Sequence, residues 1–164
     1  MIRAVNFAPV NMSKIPCSGG ELRSAILNMQ KETTVIIADD NRYMRETLKV
    51  ILSPLENLRL VGEATNGEEI IKLAAAINPD IILLDINMSP VNGFEAARKI
   101  LKQNPSIRII ALSLHQDASY CRNMIRLGAK GYVTKSSPYK DIIAAINEVA
   151  GGGKYFDKNI PGMH

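Results

Sequence analysis

Several residues able to do phosphoryl or metal chemistry stand at the ends of short apolar runs. VIIADD (35–40) closes on Asp39 and Asp40, IILLD (81–85) on Asp85, and IRIIALS (107–113) on Ser113, while GYVT (131–134) runs directly into Lys135. If these runs are neighbouring strands of one open sheet, three carboxylates, a hydroxyl and an ammonium converge on the rim formed by the strands' carboxyl ends, where such sheets bind ligands. Carboxylates packed that closely repel one another unless a cation lies between them, and hard oxygen ligands with room for water suit Mg2+ better than a transition metal. A carboxylate in such a site can attack phosphorus, because phosphoryl transfer needs mainly positioning and charge stabilisation. Lys135 would then supply positive charge to the product, and Ser113 a hydroxyl donor to the new oxygens.

The elements that must position these groups follow from periodicity. The apolar runs are short, rich in β-branched residues and bounded by turn signals, as strands buried on both faces are. Between them lie amphipathic stretches. The first, Arg42 to Leu52, carries Met44, Leu48 and Ile51 on one face and stops at Ser53-Pro54, ahead of the strand RLVGEA (59–64). A second opens at Asn66-Gly67 and closes at Asn78-Pro79, a third spans Phe94 to Gln103, and a fourth runs from Ser119 to Leu127 with Gly128 as its cap. The last begins at Ser137-Pro138, read as a cap followed by proline at the first helical position. Five strands, each followed by a helix, require a parallel sheet covered on both faces. The expected fold is α/β, a doubly wound (βα)5 domain with a five-stranded parallel sheet over residues 33–150. Residues 1–32 form an extension with a short helix-like stretch, ELRSAILNMQ, and no evident role. The Gly-rich tail, 151–164, reads as a linker leading out of the domain.

Composition narrows the function. At 164 residues and 46% apolar, the chain can bury a core of its own. The net charge of +4 is spread rather than blocked, which gives no nucleic-acid footprint. The two cysteines, Cys17 and Cys121, lack disulfide or zinc spacing and fit free thiols in a reducing cytosol. No apolar run is long enough for a membrane span, and no h-region marks a signal peptide, so a cytoplasmic protein is expected.

Taken together, IADD (37–40), LLDINM (83–88), NG (92–93), ALS (111–113) and GYVTK (131–135) resemble the receiver domain of two-component response regulators, the CheY-like branch of the flavodoxin-like folds. The similarity runs in register over residues 33–150. It is greatest to the NarL/FixJ group, whose members carry a LuxR-type helix-turn-helix after a linker much like GGGKYF. The resemblance implies Asp85 as phosphoacceptor and Mg2+ held by Asp40, Asp85 and the Asn87 carbonyl, with Asp39 acting through water. It also implies Lys135 on the acyl phosphate, Ser113 and Tyr132 as the switch pair, and Asn87 and His115 at positions that tune dephosphorylation. A sensor histidine kinase would be the phosphodonor. The output would be homodimerisation through the fourth helix, fifth strand and fifth helix, with DNA reached only through a further domain. Two positions depart from the family pattern. Ser89-Pro90 follows Met88 where proline usually follows directly, and Leu114 stands where a small residue is common, which predicts a hindrance to inward rotation of Tyr132.

Other functions fit less well. Haloacid-dehalogenase-like phosphatases also use an aspartate after a buried strand, but need a second carboxylate two residues on, and Asn87 is there instead. Slow turnover of a phosphoaspartate follows, not multiple-turnover catalysis. A flavodoxin-like nucleotide binder would need a Gly-rich loop after the first strand, where Asp39-Asp40 stands. A stand-alone phosphorelay receiver remains the alternative to a transcriptional one.

Overall fold

The computed structural model describes residues 32–162 and, before them, Gly20 alone. The stretch ELRSAILNMQ and Cys17 lie outside the described residues. From residue 33 the elements alternate as the periodicity predicts. They are β1 (Thr33–Ala38), α1 (Arg42–Leu52), β2 (Leu58–Ala64), α2 (Gly67–Ile77), β3 (Ile81–Asp85) and α3 (Gly93–Gln103), then β4 (Arg108–Ser113), α4 (Ala118–Leu127), β5 (Gly131–Thr134), α5 (Tyr139–Ala150) and β6 (Tyr155–Phe156).

All pairings are parallel, in the order β2-β1-β3-β4-β5-β6. Strand order reverses between β1 and β3, so the crevice between their carboxyl ends is the natural ligand site. Two apolar clusters, one on each face, sandwich the sheet. Ile36, Leu84, Ile109 and Tyr132 belong to one, and Ile37, Leu83, Leu112 and Val133 to the other. Every residue of β3 is buried, as its unbroken apolar run implies.

Local signals account for the boundaries. Asn41, Asn66, Asn92 and Asp117 each cap a helix by accepting backbone N–H bonds. Asn78 and Gly128 end α2 and α4 in left-handed conformations, at φ 52° and 104°. Gly93 has a different reason to be glycine. A Cβ there would stand 2.3 Å from the Asp85 carbonyl oxygen, so only glycine lets α3 start against the end of β3.

Three expectations need correction. The strand β2 is not buried on both faces, because it forms the sheet's edge and its Arg59, Leu60 and Glu63 are exposed. The sheet has six strands, not five. Residues 155–156, read as linker, pair with Gly131 and Tyr132 of β5, and Ile160 beyond them is fully buried. Ser137 is not a helix cap: α5 begins after Pro138 with no side-chain cap bond, and the Ser137 hydroxyl turns to Asp157.

Candidate functional site

The rim at the carboxyl ends of β1, β3, β4 and β5 collects the predicted residues. Asp39 and Asp40 follow β1, Asp85 ends β3, Ser113 ends β4 and Lys135 follows β5. One carboxylate oxygen from each of Asp39, Asp40 and Asp85 lies within 4.8 Å of the other two. Asp39 and Asp85 are buried while Asp40 is exposed, so the cluster opens to solvent on the Asp40 side. The Lys135 ammonium bridges the two buried members, 2.7 Å from Asp39 Oδ2 and 3.0 Å from Asp85 Oδ2. Three carboxylates thus meet with only the Lys135 ammonium paired to them among the described residues, a donor set of hard oxygens that fits a divalent cation.

The electrostatics at Asp85 reflect its burial. Desolvation pushes its carboxyl above the ordinary value and Asp39 adds to the push, against the Lys135 ammonium and the Asn87 N–H. At Lys135 burial works against the charge, but the Asp39 and Asp85 carboxylates prevail and hold the ammonium above its ordinary value. Among hydrogen bonds, Asp85 accepts from the Asn87 N–H at 3.1 Å, and Asp39 from the Asn41 N–H at 2.9 Å. The loop after β3 is tied at the main chain. Gly93 N–H donates to the Ile86 carbonyl at 2.9 Å, and Gly67 N–H at the start of α2 donates to the Val91 carbonyl at 3.1 Å. Between these ties lie Ser89 and Pro90, both exposed, joined by a cis peptide.

Ser113 is buried, and its hydroxyl accepts from the His115 N–H at 3.0 Å. Tyr132 is fully buried, with its phenol donating to the His115 carbonyl at 3.0 Å. Burial raises the phenol's pKa, and the Ser113 hydroxyl pulls it the other way. Leu114 is 68% exposed, so it points away from the space that Tyr132 fills. The expected hindrance to an inward Tyr132 is therefore not found. The His115 ring, on an exposed loop residue, stacks on Tyr120 at 4.4 Å with the planes 19° apart.

Two residues at this rim escape sequence reasoning. The Arg45 guanidinium on α1 donates to the Asp39 carbonyl at 2.9 Å, and its only signal is a place one turn into the helix that follows Asp40. Asp157 is buried against Thr134, the neighbour of Lys135. Its clue is an acidic residue directly after the Tyr-Phe pair.

Residues 35–147 match the model of the response regulator receiver domain. The chain belongs to that family. This receiver is 35% identical over 131 residues to the transcriptional regulatory protein DegU of Brevibacillus brevis, which covers 80% of the chain and 56% of that protein. It is 33% identical over 126 residues to the nitrate/nitrite response regulator NarL of Escherichia coli K12, covering 77% of the chain and 58% of NarL. The receiver thus spans a little over half the length of these curated relatives, which are of the LuxR/NarL type. Among solved structures, a two-component response regulator of the LuxR family from Aurantimonas superposes with a TM-score of 0.76 at 27% identity, covering 79% of this chain and 93% of that one. The signal receiver domain of the NarL regulator from Mycobacterium tuberculosis gives 0.71 at 28% identity, over 74% and 98% of the two chains. The doubly wound, CheY-like architecture expected for the receiver is the one these structures share. No described helix is long and apolar enough to cross a membrane.

Proposed function

We propose that Asp85 accepts a phosphoryl group from the phosphohistidine of a sensor histidine kinase in a Mg2+-dependent reaction, and that the charge gained there is read out as a change of surface. The observation that carries this reading is the placing of Asp85 at the end of a fully buried strand, with Lys135 at 3.0 Å and Asp39 and Asp40 beside it. Asp40, Asp85 and the Asn87 carbonyl would hold the Mg2+ directly and Asp39 through water. The ion would neutralise the carboxylates and the incoming phosphoryl oxygens. An Asp85 carboxylate oxygen attacks phosphorus, the new P–O bond forms, and the P–N bond to the donor histidine breaks with its electron pair leaving on nitrogen. Lys135, already on Asp85, turns its charge to the phosphoryl oxygens without leaving the site. Ser113 gives up its bond from the His115 amide to donate to those oxygens, and the loop that Tyr132 holds through the His115 carbonyl moves with it. Asn87 and His115 set how fast water removes the phosphoryl group.

The receiver unit runs from residue 33 through β6 to the buried Ile160, and no role is assigned to residues 1–32. As in DegU, named a transcriptional regulatory protein, the output is transcription, reached in the cytoplasm by homodimerisation and a DNA-binding effector domain. Incubation with Mg2+ and acetyl phosphate should add about 80 Da, one PO3 unit, to the intact mass. An unmodified wild-type protein, or an equal adduct on Asp85→Ala, overturns the reading.

A further inference from the structure

The tail of the domain is fastened at the phosphoryl-transfer rim by one side chain. The strand β6 has only two residues, paired with Gly131 and Tyr132. It ends before reaching Thr134, whose amide would otherwise face no strand carbonyl on that side. Asp157 fills the gap. Its Oδ2 accepts from the Thr134 N–H at 3.2 Å and the Thr134 hydroxyl at 3.0 Å, and from the Ser137 hydroxyl in a short bond. Its Oδ1 accepts from the Asn159 N–H at 2.9 Å, and its own N–H donates to the Tyr132 carbonyl at 2.9 Å. The carboxylate thereby continues the sheet's ladder one rung past the end of the strand.

Lys135 lies inside this grip. On the β4 side its amide donates to the Ser113 carbonyl at 2.7 Å. On the other side Thr134 and Ser137, the residues flanking the segment that carries it, both end on Asp157. An Asx turn alone needs only the bond to Asn159. The other three bonds reach back 20 to 23 residues, to the one loop that bears the ammonium of the site.

We infer that Asp157 is a positioning residue for phosphoryl transfer, holding the Thr134–Ser137 loop so that the Lys135 ammonium meets Asp85. The inference rests on the reading of Asp85 as phosphoacceptor. Asp157 touches neither Asp85 nor a phosphoryl group, and acts through the backbone on either side of Lys135. Its loss should therefore slow transfer while leaving the Asp39, Asp40 and Asp85 cluster intact.

The test compares wild type, Asp157→Ala, Asp157→Asn and Ser137→Ala with acetyl phosphate over a range of Mg2+ concentrations, by intact mass. Asp157→Ala should lower the maximal rate about 10-fold or more, with half-saturating Mg2+ held within about 2-fold of wild type. Asp157→Asn, which keeps one acceptor oxygen, should recover part of the rate. Without phosphodonor or metal, amide exchange at Thr134 and Lys135 should quicken about 10-fold while the amides of β1 and β3 keep their protection. Ile100→Val, a core change on α3, serves as the control for stability alone and should leave the rate unchanged. If Asp157→Ala does not fold, Ser137→Ala carries the test, with an intermediate loss of rate. A wild type without adduct sinks the phosphoacceptor reading itself. A wild type that reacts beside variants with its rate and exchange, or a loss matched by Ile100→Val, overturns the positioning role alone.

Discussion

Asp85 and Asp157 are both 2% exposed, yet their surroundings push their carboxyls in opposite directions. At Asp85 burial raises the pKa, because the carboxylate has one amide and one ammonium to offset desolvation and a second carboxylate beside it. At Asp157 burial also pushes upward, but the Ser137 hydroxyl and the Asn159 and Thr134 amides outweigh it and hold the carboxyl below its ordinary value. Asp85 lies deeper among surrounding atoms and is short of donors, whereas Asp157 is less deeply desolvated and saturated with them. Depth of burial and the number of donors together separate the two carboxylates.

The sharpest way to break that contrast is to remove each carboxylate's support in turn. Lys135→Met should slow phosphorylation by acetyl phosphate about 100-fold, read by intact mass, since it takes away the ammonium that bridges Asp39 and Asp85. Asp157→Ala should cost about 2 kcal/mol of stability in urea unfolding, because it leaves the Thr134 amide and one of the two hydroxyls, which can bond each other at 2.6 Å, buried without an acceptor. Asp85→Asn should act with the opposite sign, raising the stability of the metal-free protein at neutral pH by about 1 kcal/mol as a poorly compensated buried charge is lost. The pH dependence follows the same division. The folded pKa of Asp157 is depressed, so its contribution is present above an unfolded value of about 4 and lost as pH falls through the folded one. The folded pKa of Asp85 is raised, so its protonation favours the fold, and that gain is lost as pH rises through the folded value. Urea midpoints between about pH 3 and pH 7 should therefore climb more steeply in Asp85→Asn than in wild type, and less steeply in Asp157→Asn. The smallest effect is expected at Leu114→Ala. The side chain lies in solvent, so stability should stay within about 0.5 kcal/mol and the phosphorylation rate should not change.

The same division marks what the chain's pattern makes legible. Asp39, Asp40, Asp85 and Lys135 could be placed on one rim because each directly follows or ends a buried parallel strand, and such strands stand out as unbroken apolar runs. The helix ends were equally plain, since Asn66, Asn92 and Gly128 carry the turn chemistry that a boundary needs. The edge position of β2 was harder to see, for its Leu60 and Val61 mimic a buried strand and only Arg59 and Glu63 betray the solvent. Asp157 was out of reach of any local pattern. Its partners are 20 to 23 residues away, its strand is too short for periodicity, and Ser137 offers the eye a helix cap that tertiary structure overrides. Leu114 misled for another reason: which way a loop side chain points is settled by the backbone around it and not by its size.

The ties at either end of the loop after Asp85 have a bearing on which of its positions tolerate change. Gly93 binds Ile86 and Gly67 binds Val91 through main-chain atoms, and a side chain at either glycine would collide with the opposing segment. The loop's course is thus held by atoms that every amino acid possesses, apart from two glycines that cannot be exchanged. Ser89 and Pro90, exposed between the ties, take no part in them, so substitution there should leave the loop's course unchanged.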